Sequence, residues 1–156
     1  MPSDVPKAAW RLVRKQWADL SGDGARLEGG RWNSPGKAVV YLSEDAALPV
    51  LETLVHLDLP QDLIPHDYVL MRIDLTLLES DGRGSWLEEG PEDLTSPPES
   101  RAFGDRWIEE GRTPILRVPS AVVPESPNLI LNAHHPLVSM IPEPTDRPFE
   151  FDPRLF

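Results

Sequence analysis

The sequence predicts an α+β fold, in which short apolar strands alternate with two helical segments and frequent turns. Three observations carry that reading. Tyr68–Leu75 (YVLMRIDL) is a clear strand-like run. Val39–Leu42, Ile115–Val118 and Asn128–Leu131 are shorter apolar runs of the kind that fill a buried sheet. The 18 prolines in 156 residues keep regular elements short and loops numerous. The length suits one domain spanning 1–156, and 40% hydrophobic residues with five Trp supply its core.

In chain order, Ala8–Arg14 reads as an opening strand and Gln16–Glu28, with Ser21-Gly22-Asp23-Gly24, as a loop that delivers Arg26 and Gly29-Gly30. The strand Val39–Leu42 follows. Ser43-Glu44-Asp45 then signals a helix start, because a cap residue and two acids favour the positive end of the dipole. That helix is expected to use Ala46, Ala47, Val50, Leu51, Leu54 and Val55 as its core face. Pro49 lies inside the pattern, so the helix either begins near it or kinks there. Glu52 and His56 are one helical turn apart and share a face. Leu77–Ser100, rich in Gly, Pro, Ser and acids, reads as a long surface excursion with little regular structure. Ser100–Gly111 has helical spacing through Phe103, Trp107 and Ile108, and Gly111 closes it. The last two strands flank a proline-rich corner, Pro119–Pro124. The tail from Pro142 (142–156) carries further prolines and is expected to wrap the domain surface.

Composition narrows the function. Without cysteine there is neither a disulfide framework nor a zinc-thiolate site. Fifteen Lys+Arg against 26 Asp+Glu give a net charge of -11, which repels nucleic acid and suits a basic protein partner. No run has the length of a signal-peptide core or a membrane span, so a soluble cytoplasmic protein is expected. His134-His135 invites a metal reading, but no HxH or HExxH spacing supports it, and these residues are taken as structural or rim residues. No Walker, Rossmann, serine-hydrolase or kinase signature is present.

The chemistry concentrates between Gly29 and His56. Gly29-Gly30-Arg31-Trp32-Asn33-Ser34-Pro35-Gly36 forms a constrained turn that presents an arginine, whose planar fork suits phosphate or carboxylate. An isolated arginine is more often an ordinary surface residue, and Tyr41 at a strand end is more often packing than a ligand platform. Glu52 interrupts an apolar stretch, so it is either the helix's solvent stripe or a partly buried carboxylate in a cleft; spacing leaves both open. Ser120 is either a plain turn residue or a donor to a phosphate or ribose hydroxyl.

Taken together, Gly29–Gly36, Val40-Tyr41-Leu42-Ser43, Glu52–His56, Pro119-Ser120 and Asn128–Asn132 with His135-Pro136 resemble the RES-domain toxins of bacterial toxin–antitoxin modules. The matching segments run in family order from about residue 10 to 136. Ala133 stands where family members usually place proline, a departure that touches only a local turn. The resemblance implies an ADP-ribosyltransferase-like fold, with short, mostly antiparallel strands in two packed sheets and a few helices. It implies an enzyme of NAD+ glycohydrolase or phosphorylase type that depletes NAD+ as its substrate, with no other cofactor and no metal. Arg31, Glu52 and Tyr41 match the catalytic positions. Arg31, Tyr41, Ser120, Trp32 and Asn33 form the expected NAD-binding set. It also implies an Xre-type helix-turn-helix antitoxin as partner and a toxin homodimer within the complex. Two other readings stand beside it: ADP-ribose transfer to a protein, and a non-catalytic module that binds a nucleotide or the antitoxin.

Overall fold

Strand identity follows apolar content. The runs richest in Val, Ile and Leu become the middle of a sheet, and the polar TDRP segment becomes an edge. In a computed structural model that describes residues 5–80, 85–93 and 96–156, the strands are β1 (Ala8–Arg14), β2 (Val39–Ser43), β3 (Tyr68–Asp74), β4 (Leu87–Glu89), β5 (Ile115–Pro119), β6 (Pro127–Asn132) and β7 (Thr145–Pro148). They form one sheet in the order β4-β5-β6-β2-β1-β3-β7, antiparallel except for the parallel pair β4–β5. The edge strand β7 is exposed throughout and ends at Pro148, a residue that cannot extend the ladder.

The α+β, mostly antiparallel expectation therefore matches, while the division into two packed sheets is replaced by a single mixed sheet with a weak seam. β1 and β2 are joined through one residue pair, Trp10 with Ser43, whereas β1–β3 and β2–β6 pair along their lengths. Beside that pair, Arg11–Arg14 of β1 and Val39 and Tyr41–Ser43 of β2 line a cleft.

Four helices accompany the sheet among the described residues: α1 (Asp23–Glu28), α2 (Ala47–His56), α3 (Thr76–Ser80) and α4 (Pro97–Glu110). α2 packs across the seam, against both β1 and β2. The two faces of the sheet bury separate cores, as the period-2 alternation of strands requires. Val40, Leu42, Ile115, Leu129 and Leu131 belong to one. Val39, Leu116, Val118 and Ile130 belong to the other, where Trp107 of α4 covers them together with Trp32. Among the described residues no helix is long and apolar enough to cross a membrane.

Several expectations need correction. The 16–28 loop contains α1, because Gly22 adopts φ 72° and the Ser21 hydroxyl accepts from the Asp23 N–H to start a helical turn. The 77–100 excursion contributes β4 and the start of α4; its residues 81–84 and 94–95 lie outside the described residues. The tail adds a strand to the sheet instead of only wrapping it. Of the two readings of Pro49, the helix start near it holds: α2 begins two residues before Pro49, which thus occupies the first turn, where its missing N–H costs nothing.

The core face of α2 also differs. Leu51 and Val55 are 41% and 58% exposed, and the buried residues are Leu48 and Pro49. Hydrophobicity placed Leu51 and Val55 inward. The helix is instead rotated so that Glu52 and Thr53 line the cleft.

Candidate active site

The arginine loop is built by an unusually dense set of polar contacts. Gly29, at φ 74°, turns the chain out of α1. At Gly30 a Cβ would lie 2.6 Å from the Tyr41 hydroxyl, so any side chain there would displace that ring. The Tyr41 Oη accepts from the Trp32 N–H (2.9 Å) and donates to Asn33 Oδ1 (2.6 Å). Burial pushes the Tyr41 phenol up to about 12, the backbone hydrogen bond from Trp32 opposing, so it remains a donor at any physiological pH. The Asn33 amide donates to the carbonyls of Ala25 (2.9 Å) and Lys37 (3.1 Å), tying α1 to the far end of the loop.

Helix α4 clamps the same loop from above. The Ser100 hydroxyl donates to the Arg31 carbonyl (2.7 Å), and Asp105 accepts from the Ser34 N–H (2.8 Å) and hydroxyl (2.5 Å). Between them lies Gly104, where a Cβ would sit 1.7 Å from the Trp32 carbonyl oxygen. Helix backbone and loop backbone are thus in direct contact. This clamp is absent from the sequence reading, although the small residues Ser100 and Gly104, four apart on one helix face, are a signal of close approach.

Glu52 is held differently, by neutral donors. Its Oε2 accepts from the Ser120 hydroxyl (2.8 Å) and its Oε1 from the Asn128 amide (3.2 Å). The Ser120 Oγ itself accepts from the N–H groups of Val122 (3.1 Å) and Val123 (3.3 Å), which leaves its one proton for Glu52.

Arg31, Trp32, Tyr41, Glu52 and Asn128 line a single cleft of about 860 Å³, within the size range of small-molecule sites. Other cations at the cleft are engaged. Arg14 forms a two-bond pair with Asp67 (2.7 and 2.9 Å), which holds the Asp67 carboxyl below its ordinary value. Arg11 donates to the carbonyls of Trp17 (3.0 Å) and Asp19 (2.7 Å). Arg31 is the exception. Among the described residues its Nε is the one buried side-chain nitrogen or oxygen with no hydrogen-bond partner. A buried donor left unmatched costs about 1–3 kcal/mol, more when charged, and an incoming anion removes that cost.

The expected binding set is therefore split by the structure. Arg31 and the ring of Tyr41 face the cleft with Glu52. Asn33 is 0% exposed, and its amide is committed to the protein, where it braces the loop. Trp32 is largely buried, edge-on against Phe103 with ring centroids 6.1 Å apart, and also lines the cleft. Ser120 is 1% exposed and donates its proton to Glu52. His135 accepts from the Leu137 N–H (3.1 Å) as a helix cap, and among the described residues no group of three or more His, Cys, Asp or Glu is arranged to hold a metal.

Comparison with known proteins matches residues 8–152 to the model of the RES domain. A "Prs ADP-ribosylating toxin" from Sphingobium sp. (strain YBL2) is 38% identical over 142 residues, covering 88% of this chain and 86% of the relative. A "Toxin Res" from Pseudomonas putida is 34% identical over 128 residues, covering 81% and 85%. Among solved structures, the M. tuberculosis MbcT-MbcA toxin-antitoxin complex contains a chain of similar fold, with a TM-score of 0.68, 19% identity, and coverage of 92% of this chain and 84% of that one.

Proposed function

The chain belongs to the RES-domain family, and from that premise we propose that it is the toxin of a toxin–antitoxin system and acts by cleaving the nicotinamide–ribose bond of NAD+. The observation that carries the reading is the pairing, in one cleft, of a buried, unmatched Nε at Arg31 with a Glu52 carboxylate held by two neutral donors. Arg31 meets the pyrophosphate, to which its planar fork can donate two bonds. The exposed face of the Tyr41 ring receives the cationic nicotinamide.

In the reaction the C1″–N bond breaks and its electron pair leaves with nicotinamide, which departs neutral and needs no strong acid. Positive charge builds on the ribose ring. Glu52, fixed in place before the reaction, stabilises that charge more in the transition state than in the ground state. Bonds from such a carboxylate to a ribose 2-hydroxyl strengthen in the same way in glycosidases. Water or phosphate then attacks C1″ and gives up a proton. NAD+ is the substrate, and the reaction calls for no further cofactor.

A second reading keeps the site and changes the acceptor to a protein, as the name of the Sphingobium relative, an ADP-ribosylating toxin, suggests. We further propose that the protein works in the cytoplasm, as a homodimer bound to an Xre-type antitoxin whose basic surface complements the net charge of -11.

Chromatography of NAD+ products from purified protein, with and without phosphate, tests the reading. Free ADP-ribose supports hydrolysis, and ADP-ribose-1″-phosphate appearing only with phosphate supports phosphorolysis. Label on a protein acceptor without free product favours the second reading. Glu52→Gln is expected to lower kcat roughly 10²–10³-fold, equivalent to about 2.7–4 kcal/mol for one preorganised electrostatic group. Absence of turnover in every arm would reduce the cleft to a binding site.

A further inference from the structure

We propose that Asn128 is a positioning residue, whose side-chain amide fixes the Glu52 carboxylate from the side opposite Ser120 and so sets the orientation in which that carboxylate meets the ribose. The inference deepens the NAD+-cleaving reading and rests on it.

The two donors to Glu52 come from opposite ends of one rigid corner. Ser120 directly follows β5, and Asn128 lies on β6, where it pairs in register with Val118. Neither can shift without moving the ladder between them. Glu52 arrives from a different element, α2, and reaches this corner across 68 and 76 residues of sequence. Two bonds to two oxygens stop rotation of the carboxylate about its last torsion, which one bond would leave free.

The amide is suited to this task for a stated reason. Its Nδ2 lies 3.2 Å from Glu52 Oε1, 3.1 Å from Ser43 Oγ and 3.5 Å from the Leu42 carbonyl. The carboxylate and the carbonyl only accept, so the nitrogen and not the oxygen of the amide must face them. One hydrogen serves Glu52. The other is held by Ser43, a buried residue at the single β1–β2 pair. Asn128 therefore connects the carboxylate to the seam beside the cleft. It offers two donors and no net charge, so it orients Glu52 without neutralising it. A lysine would cancel the charge that stabilises the ribose cation, and an aspartate would repel it.

The test uses the full chain. Asn128→Ala is expected to lower kcat for NAD+ cleavage roughly 10–100-fold, the effect of losing one hydrogen bond to a charged group, with KM within about twofold of wild type. Asn128→Asp keeps the shape and replaces the donor with a second carboxylate. Its activity relative to wild type is expected to be lowest at neutral pH and to recover as the pH falls and the new acid gains a proton to donate, while the ratio for Asn128→Ala stays flat. A purely structural asparagine would give no such recovery. The crystal structure of Asn128→Ala supplies a readout independent of turnover: the Glu52 carboxylate should rotate away from its present position. A carboxylate unmoved on Ser120, or a wild-type kcat in both variants, overturns the proposal. Wild-type protein inactive on NAD+ with a rotated Glu52 in the variant would instead count against the NAD+ reading and leave the positioning role standing.

Discussion

Arg31 and Arg117 are attached to the same sheet, on opposite faces, and the protein treats them in opposite ways. Arg117 on β5 shares its face with Leu129 and Leu42. It is buried, and its Nε and Nη2 donate to Glu44 while its Nη1 donates to Glu89 (2.7 Å). Those bonds hold the guanidinium above the ordinary arginine value, although burial pulls the other way. Arg31 lies in the loop seated on the Tyr41 and Trp32 face, with its Nε buried and unmatched. A buried cation answered by two carboxylates within the chain is a fastening, here joining the edge strand β4 to the residue that follows β2. A half-buried cation in a cleft, whose buried Nε the chain leaves unanswered, is prepared for an anion from outside. Formal charge does not separate these two roles; the partners do.

The comparison is broken most severely at Gly104, which supports the Arg31 loop and touches nothing at Arg117. Gly104→Ala forces a Cβ into the Trp32 carbonyl. It is expected to cost about 3 kcal/mol, seen as a fall of roughly 6–12 °C in thermal midpoint, and to abolish NAD+ turnover. A variant with wild-type melting and activity would show that α4 does not clamp the loop.

Alkaline titration isolates the loop in another way. The Tyr41 phenol is pushed up to about 12 in the folded protein and titrates near 10 when unfolded, so above pH 10 the native state retains a proton that the unfolded state loses. This contribution is fully present below pH 10 and is lost as the pH rises toward 12, up to about 2.7 kcal/mol in all. Denaturant unfolding at several pH values should show the loss in wild type and not in Tyr41→Phe. Parallel curves would mean that the Tyr41 phenol is not buried as described.

The arginines themselves sharpen the contrast most directly, with smaller effects. Arg31→Met is expected to weaken NAD+ binding roughly 10–100-fold, read as KM, because a charge-assisted bond worth about 1.5–3 kcal/mol is lost. Its thermal midpoint should not fall, since an unmatched donor has been removed. Arg117→Met should do the reverse, lowering stability by about 1–3 kcal/mol and leaving KM unchanged. Equal effects of the two substitutions on stability would remove the distinction.

Much of this molecule is written in short-range pattern. The runs Val39–Leu42, Tyr68–Leu75, Ile115–Val118 and Asn128–Leu131 announce their strands by apolar content, each to within a residue of the strand's ends, and Gly111 ends α4 in the left-handed conformation expected of it. The loop Gly29–Gly36 and Glu52 are legible too, as a motif that carries a family resemblance, and residues 8–152 do match that family. The sequence alone could not give the partners. Whether Glu52 faces solvent or a cleft, which residues hold it, and that Ser120 donates to it depend on the rotation of α2 and the register of β5 against β6. A one-residue slip of that register would turn Asn128 to the other face of the sheet. Local propensity is fixed by neighbours a few residues apart, whereas the contacts that make this site span 68 and 76 residues, and only the packed sheet decides them.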